Sequence, residues 1–439
     1  IVFGDWSSDV CSSDLVGVYQ QYFDAQSRAL NTPERRNEIA LTVPAGQADW
    51  GEFVLHGQAP ESAAVLTVWV HSFNAAAGRA DLDDFSVAEL SDADAARIRR
   101  AALEASGRGF PSLDARRIAE IAAWLPAAPT GIGRPASDRE AWDRLAALPE
   151  AAAAIAAAAG FVDTAPPELP DDLYLEFSTT GNRRNYEGPY GRRTNRINAL
   201  LLAECLENQG RFLPALERDV LALCDERSWT MPAHDGSLSN FNGTLLTIDL
   251  GSSARGWLLS SVDCWLGDRL SATVRQRMRQ EVQRRILDPY LTAVREGDTR
   301  GNWWMRGDNN WNAVCTAGVV CTALALVESP QDRAEFLAAM EVSNPYFIGG
   351  FTDDGYCSEG MGYWNYGFGH YVMMGLAVRA ATGDRLDIFQ GDKLRRIAEY
   401  AMGYQIQPGR SPFFADGGGG PGSEEHTSEL QSPNTRSYA

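Results

Sequence analysis

The chain has 439 residues, of which 44% are hydrophobic and 22% charged, and its formal net charge is −19. The length accommodates two or three domains and the composition is that of a globular chain. The acidity argues against a nucleic-acid partner, whose phosphates require clustered Lys and Arg. No apolar run reaches the roughly 18 residues of a membrane span.

Taken in order, the two ends stand apart. Ser7–Leu15 (SSDVCSSDL) and Ser423–Ser432 (SEEHTSELQS) resemble translated sequencing-adapter DNA and show no apolar period. Residues 1–15 and 423–439 are therefore set aside, and the natural chain is expected to be longer at both ends. The seven cysteines (11, 205, 224, 264, 315, 321 and 357) form no CxxC pair and no metal spacing. They are expected to be free, most of them as small hydrophobes in helical text.

Residues 16–92 read as strands. Val18–Phe23, Ala40–Val43, Glu52–His56, Val65–Phe73 and Ala80–Val87 are rich in β-branched and aromatic residues and are punctuated by Pro and Gly. Their spacing predicts an antiparallel sandwich. The text resembles the second half of a carbohydrate-binding jelly roll whose closing strand carries a DDxS pattern, here Asp83, Asp84 and Ser86. A sandwich without a ligand site reads equally well from these residues.

From about Asp94 the period becomes helical. Ala95–Ala105 and Asp114–Leu125 come first, followed by a Pro- and Gly-rich linker at 126–135. Ser137, with Glu140 three positions on, reads as a capping box for one helix over Asp138–Gly160. Further helices are predicted over Thr194–Asn208, Phe212–Asp225, Leu250–Leu266, Ser271–Ala293, Asn312–Glu328, Pro330–Met340, Tyr366–Thr382 and Gly391–Met402. Helix, short turn, helix, repeated without a fixed period, predicts a mainly α domain over 93–422: an incomplete α/α toroid of helical hairpins, preceded by the partial β-sandwich.

Four stretches carry polar chemistry. Phe177–Leu201 holds Arg183, Arg184, Arg192, Arg193 and Arg196, interleaved with Tyr186 and Tyr190. Arg forks suit carboxylates and sulfates, and Tyr faces suit sugar rings; a turn with Arg193 and Arg196 salt-bridged on a helix is the plainer reading. Trp229–Asp235 places His234, a candidate acid or base, in a loop. Asn302–Asn312 packs Trp303, Trp304, Trp311, four Asn, Arg306 and Asp308 into eleven residues, more than helix capping requires. Asp353–His370 sets Asp353, Asp354, Tyr356, Glu359, Tyr363, Tyr366 and His370 among glycines. On a helix starting near Met361, Tyr363, Tyr366 and His370 would share one face.

Asn309-Asn310-Trp311-Asn312 leading an apolar helix, followed by Asp354-Gly355 and by Glu359-Gly-Met-Gly-Tyr363-Trp-Asn-Tyr366-Gly, resembles the heparinase II/III-like polysaccharide lyases over roughly residues 95–420. More distantly it is similar to the toroidal chondroitin, hyaluronate and alginate lyases. The resemblance implies β-elimination on a uronic-acid polymer. Asn310 would neutralise the uronate carboxylate, and Tyr366, with Tyr363 in reserve, would transfer the proton. Tyr ionises near 10, so a Tyr base needs a cation nearby, and Arg306 is the candidate. Several relatives carry a catalytic His where this chain has Trp311; His234 or His370 would then supply a second acid/base. Arg183, Tyr186, Arg192, Trp303, Trp304, Arg306, Trp311 and Glu359 are the expected substrate contacts.

The expected partner is an anionic polysaccharide, which implies a secreted or periplasmic home. No cofactor is expected: there is no P-loop, GxGxxG or HExxH. No catalytic metal is expected either, although Asp353, Asp354 and Glu359 could hold calcium. Two other readings remain open from the residues alone. One is a toroidal hydrolase using two of Asp308, Asp354 and Glu359; the other is a protein that only grips glycans.

Overall fold

The computed structural model describes residues 16–30, 38–43, 57, 59–71, 90–105, 107 and 109–404. They fall into two compact units that divide between Gly109 and Phe110. The expected strands Glu52–His56 and Ala80–Val87, with Asp83, Asp84 and Ser86, lie outside the described residues.

In the first unit β1 (Val16–Phe23) is the hub of a small antiparallel sheet. Residues 16–21 pair with β3 (Glu38–Val43), and Tyr22 and Phe23 pair with the two-residue β2 (Ala29–Leu30). β4 (Val65–His71) runs along residues 17–23, so it takes the opposite edge of β1. Asp24 closes the first hairpin: its Oδ1 accepts the backbone N–H groups of Gln26 and Arg28, each at 2.9 Å. Among the described residues of this unit there is one helix, α1 (Asp92–Ala105).

The second unit is helical. It opens with α2 (Ala115–Trp124), capped by Asp114, and α3 (Arg139–Ala146), capped by Asp138 rather than Ser137. The single helix expected over 138–160 is two, because Pro149 starts α4 (Pro149–Ala159). Proline has no N–H for the preceding turn and suits the first helical position. α5 (Asp171–Thr180) ends at Gly181 with φ +70°. Then come α6 (Arg184–Glu207), α7 (Leu213–Cys224), α8 (Leu250–Leu266) and α9 (Ala272–Val282). A π turn at Gln283–Leu287 joins α9 to α10 (Asp288–Glu296). α11 (Asn310–Leu326) and α12 (Pro330–Gly349) follow. The short α13 (Met361–Tyr363) enters a second π turn, Trp364–Phe368, that leads into α14 (Gly369–Thr382); α15 (Asp392–Gly403) is last. No helix among the described residues is long and apolar enough to cross a membrane.

Every residue of α11 is buried, which is why its sequence, NWNAVCTAGVVCTALAL, is apolar all round after its first turn. α8, α12 and α14 surround it. α8 and α11 run parallel: Gly318 lies on Ser253, and Gly256 on Thr322. The approach is so close that a Cβ at Gly318 would stand 2.7 Å from the Ser253 carbonyl oxygen. Other contacts gather the helix starts. Tyr190 near the start of α6 touches Gly251 in the first turn of α8, and Gly367 of the second π turn packs on Asn310. Asn302 Oδ1 accepts the Ile248 N–H at 2.9 Å, and Trp304 Nε1 donates to the Ile248 carbonyl at 2.6 Å. The beginnings of α6, α8, α11 and α14 thus meet at one end of the unit.

Gly318→Ala is expected to lower the unfolding free energy by about 1–3 kcal/mol, the usual cost of overpacking. Gly349→Ala, where a Cβ meets nothing within 4 Å, is expected to be near neutral. Urea unfolding of the two variants checks the pair.

Candidate functional site

Asp249 is the N-cap of α8, and its carboxylate ties the start of that helix to the loop carrying Met231 and His234. Oδ1 accepts the Ser252 N–H at 2.7 Å, while Ser252 Oγ accepts the Asp249 N–H at 2.8 Å, completing a capping box. Oδ2 takes the Met231 N–H at 2.9 Å and His234 Nδ1 at 2.7 Å. Burial works to raise this carboxyl, but the hydrogen bonds from His234, Met231 and Ser252 outweigh it and hold the group below the usual carboxylate range. An ionised carboxylate only accepts, so Nδ1 carries the proton and, in the neutral ring, Nε2 keeps the lone pair. The His234 side chain is 7% exposed, and Nε2 is buried with no hydrogen-bond partner.

Aromatic rings lead outward from this imidazole. Trp311 meets His234 edge-on at 4.6 Å between centroids, and Trp303 tilts against Trp311 at 5.2 Å. Trp303 is 48% exposed and offers a flat face to solvent.

Beside Trp311, Asn310 begins α11 and is 1% exposed. Its backbone N–H donates to Glu359 Oε2 at 2.9 Å and its Nδ2 to Glu359 Oε1 at 2.7 Å. The amide oxygen, Oδ1, is buried without a partner.

Tyr366 sits in the second π turn, next to the Gly367 that touches Asn310. Its hydroxyl is pushed well above the ordinary tyrosine value, by burial first and then by the neighbouring Cys315 and Asp249. His370 backs it, ring to ring at 4.9 Å, with Nδ1 donating to the Tyr366 carbonyl at 2.7 Å. Burial depresses the His370 value, so the ring is neutral near pH 7. Tyr363 is buried. The π turn adds a residue to the helical turn, so Tyr363, Tyr366 and His370 do not form the uniform α-helical stripe expected of them.

Several expected substrate contacts are placed elsewhere. Trp304 is fully buried, stacked on Tyr290 at 6.1 Å, and serves as a packing plug rather than a sugar platform. Tyr186 is core, packed against Tyr174 and Tyr190. Arg306 donates to the Tyr346 hydroxyl at 3.2 Å and lies over that ring, and it is not among the groups that shift Tyr366. The Arg-rich stretch is helical, and much of it points inward. Arg193 binds Glu226 at 3.1 Å and Arg196 binds Asp219 at 2.7 Å. Arg183 pairs with Glu187 at 2.9 Å, and Arg192 is exposed.

Two carboxylates were missed from sequence. Asp249 had a legible signal, the D-x-x-S cap before an apolar run, but nothing in the text ties it to a His fifteen residues earlier. Glu187 is buried, its carboxyl raised by that burial, and His234 lies within its electrostatic reach; nothing in the sequence distinguished it. Among the described residues no group of three or more His, Cys, Asp or Glu is arranged to hold a metal ion, and the six described cysteines are free. No protein-family model matches the chain, and no curated protein matches it significantly.

Asp249→Ala strands three buried donors, on Ser252, Met231 and His234. It is expected to cost about 3 kcal/mol or more, at 1–3 per unsatisfied group. Because the Asp249 value is depressed in the folded chain, its contribution is complete above the unfolded carboxyl value near 3.9 and fades as pH falls through the lower folded value. The gap between wild type and variant in urea melts is therefore expected to persist at pH 5 and to narrow only in stronger acid.

Proposed function

We propose that the chain is a polysaccharide lyase that cleaves a uronic-acid-containing polymer by β-elimination. The observation that carries the reading is the buried His234–Asp249 pair. It has an unpartnered Nε2 and lies beside a tryptophan ledge, at the same helix ends as a tyrosine that burial keeps protonated. The parallel α8 and α11, and the meeting of the helix starts, also support the incomplete α/α toroid as the scaffold. The small antiparallel sheet is compatible with a jelly-roll-like carbohydrate-binding unit. A polymeric substrate of this kind implies a secreted or periplasmic protein.

Elimination needs a base for the proton on C5, an acid for the departing O4, and neutralisation of the carboxylate on C5 so that the carbanion can form. His234 Nε2 takes the C5 proton, and Asp249 steadies the resulting imidazolium. The electron pair moves into the C4–C5 bond as the C4–O4 bond breaks, and Tyr366 donates its proton to O4. The product carries a C4=C5 double bond conjugated to the carboxylate. Asn310, at the α11 N-terminus, offers amide N–H groups to the uronate, and Trp303 stacks against a neighbouring sugar ring. The roles divide according to environment: an imidazole with an unpartnered Nε2 serves as base, and a phenol whose ionisation is suppressed serves as acid. Arg306 is not needed to activate the tyrosine.

The assay is ultraviolet absorbance of the conjugated product with alginate, heparan, chondroitin and polyglucuronate. At least one is expected to give a steady rise, and silence with all four would sink the proposal. Tyr366→Phe and His234→Ala are each expected to lower kcat by about 10²–10⁴-fold, the usual range for acid–base groups. Trp303→Ala is expected to raise KM several-fold with little change in kcat. Because Tyr366 must hold its proton, the rate is not expected to climb between pH 8 and pH 10; a steep alkaline rise would instead mark a tyrosinate base.

A further inference from the structure

The Asn310 cradle already binds a carboxylate, and it belongs to the chain itself. Glu359 lays both oxygens against Asn310, one on the backbone N–H and one on Nδ2. This is the two-point geometry with which a helix terminus and an amide would hold a uronate. Asn309 caps the same helix, its side chain accepting from the Trp311 N–H at 3.1 Å. The positive end of the seventeen-residue α11 therefore faces Glu359. Asn310 is almost wholly buried, yet its Oδ1 has no partner. The cradle thus retains an acceptor suited to a hydroxyl next to a bound carboxylate, a pairing that a sugar acid presents and a glutamate side chain does not.

Glu359 is half-buried and reaches the cradle from a loop. Gly355 and Gly360 bracket it, with φ of +89° and +92°. Gly355 is pinned against the backbone of Arg396 and Ile397, so a side chain there would collide. Gly360 ends the loop as the N-cap of α13. Between them Cys357 is packed in the core, and Glu359 follows the exposed Ser358, so displacement of its carboxylate requires only a side-chain rotation. Asn310 itself is seated by Gly367, while Gly350 lies against the Asp308 carbonyl.

Resting on the lyase reading of this cleft, we infer that Glu359 is an internal stand-in for the substrate's carboxylate: the uronate binds by displacing Glu359 from Asn310, and its ring hydroxyl satisfies Oδ1. One carboxylate replaces another on the same two donors, so neither Asn310 nor the helix terminus is left without an acceptor during the exchange. Neutral sugars gain nothing from it. The exchange therefore selects for uronic acids and sets a threshold on weak anionic ligands.

The test compares wild type, Glu359→Ala and Glu359→Gln, each first checked for a native circular dichroism spectrum. Melting temperatures are measured in sodium glucuronate, in glucose and in sodium chloride of equal ionic strength. Glu359→Ala is expected to be stabilised by glucuronate and not by glucose or chloride. Wild type is expected to respond much less, and Glu359→Gln, which keeps one acceptor, to fall between. Equal responses in wild type and Glu359→Ala would overturn the inference, as would glucose acting as well as glucuronate. On any polymer that is cleaved, Glu359→Ala is expected to lower KM about tenfold, as removal of one charge-assisted competitor would. A loss of kcat with unchanged KM would instead make Glu359 a positioning residue and overturn the displacement. Binding and turnover are read separately. If no polymer yields unsaturated product but glucuronate still selectively stabilises Glu359→Ala, the lyase reading fails and the carboxylate site stands.

Discussion

A single buried carboxylate, that of Asp249, satisfies three donors from two segments of chain. It caps α8, it fixes the loop carrying Met231, and it orients His234. Burying an anion is costly unless its oxygens are fully engaged, and here the engagement doubles as construction. Helix start, loop and imidazole are locked to one another because each supplies part of the compensation. The same negative charge adds to the burial that keeps the Tyr366 hydroxyl protonated. One residue therefore sets the tautomer of one group and suppresses the ionisation of the other.

The second constraint is the closeness of α8 and α11. Glycines at 256 and 318 let the helices approach until side chain and backbone touch, and that contact brings the Asp249 cap and the Asn310 turn to the same end. Both caps are side chains that accept a backbone N–H, and both lie in polar, Trp-bearing text. Polar side chains gather there because helix starts leave backbone donors that need acceptors; Asp249 supplies one for α8, and Asn309 and Glu359 supply them for α11.

Much of this was legible in the sequence. α8 was bounded correctly because a cap and a glycine frame a clean apolar period, and α7, α2 and α15 came within a residue or two for similar reasons. Misreadings have specific causes. Pro149 divides a helix whose alanine-rich text looked continuous. α5 was missed because DDLYLEFSTT has charged residues at its start and threonines at its end. Two π turns shift the register of long helices, and no residue type announces them. At the site, Trp303 and Trp304 are neighbours in a 3₁₀ segment, and sequence could not say which faces out; one proves exposed and the other is a plug. Asn302, Asn309 and Asn312 looked like binding residues as much as Asn310 did. Each has a structural duty instead: Asn302 holds Ile248, Asn309 caps α11, and Asn312 binds Ser343 of α12. The His234–Asp249 pair is a product of folding alone.

The net charge is −19, so a polyanionic ligand of the kind proposed would meet repulsion at long range. The arginines that first suggested a cationic surface are partly consumed indoors, Arg193 by Glu226 and Arg196 by Asp219. What remains around Asn310 and Trp303 is short-ranged: the positive ends of helices, amide N–H groups and indole faces. Helix-end charge decays within about a turn, and solvent-exposed charges are screened beyond roughly 8 Å at physiological salt. An acidic body is therefore compatible with the carboxylate binding proposed at Asn310. On the proposed reading, attraction on that scale would do little to steer a distant polymer and would act only once a sugar ring is stacked on Trp303.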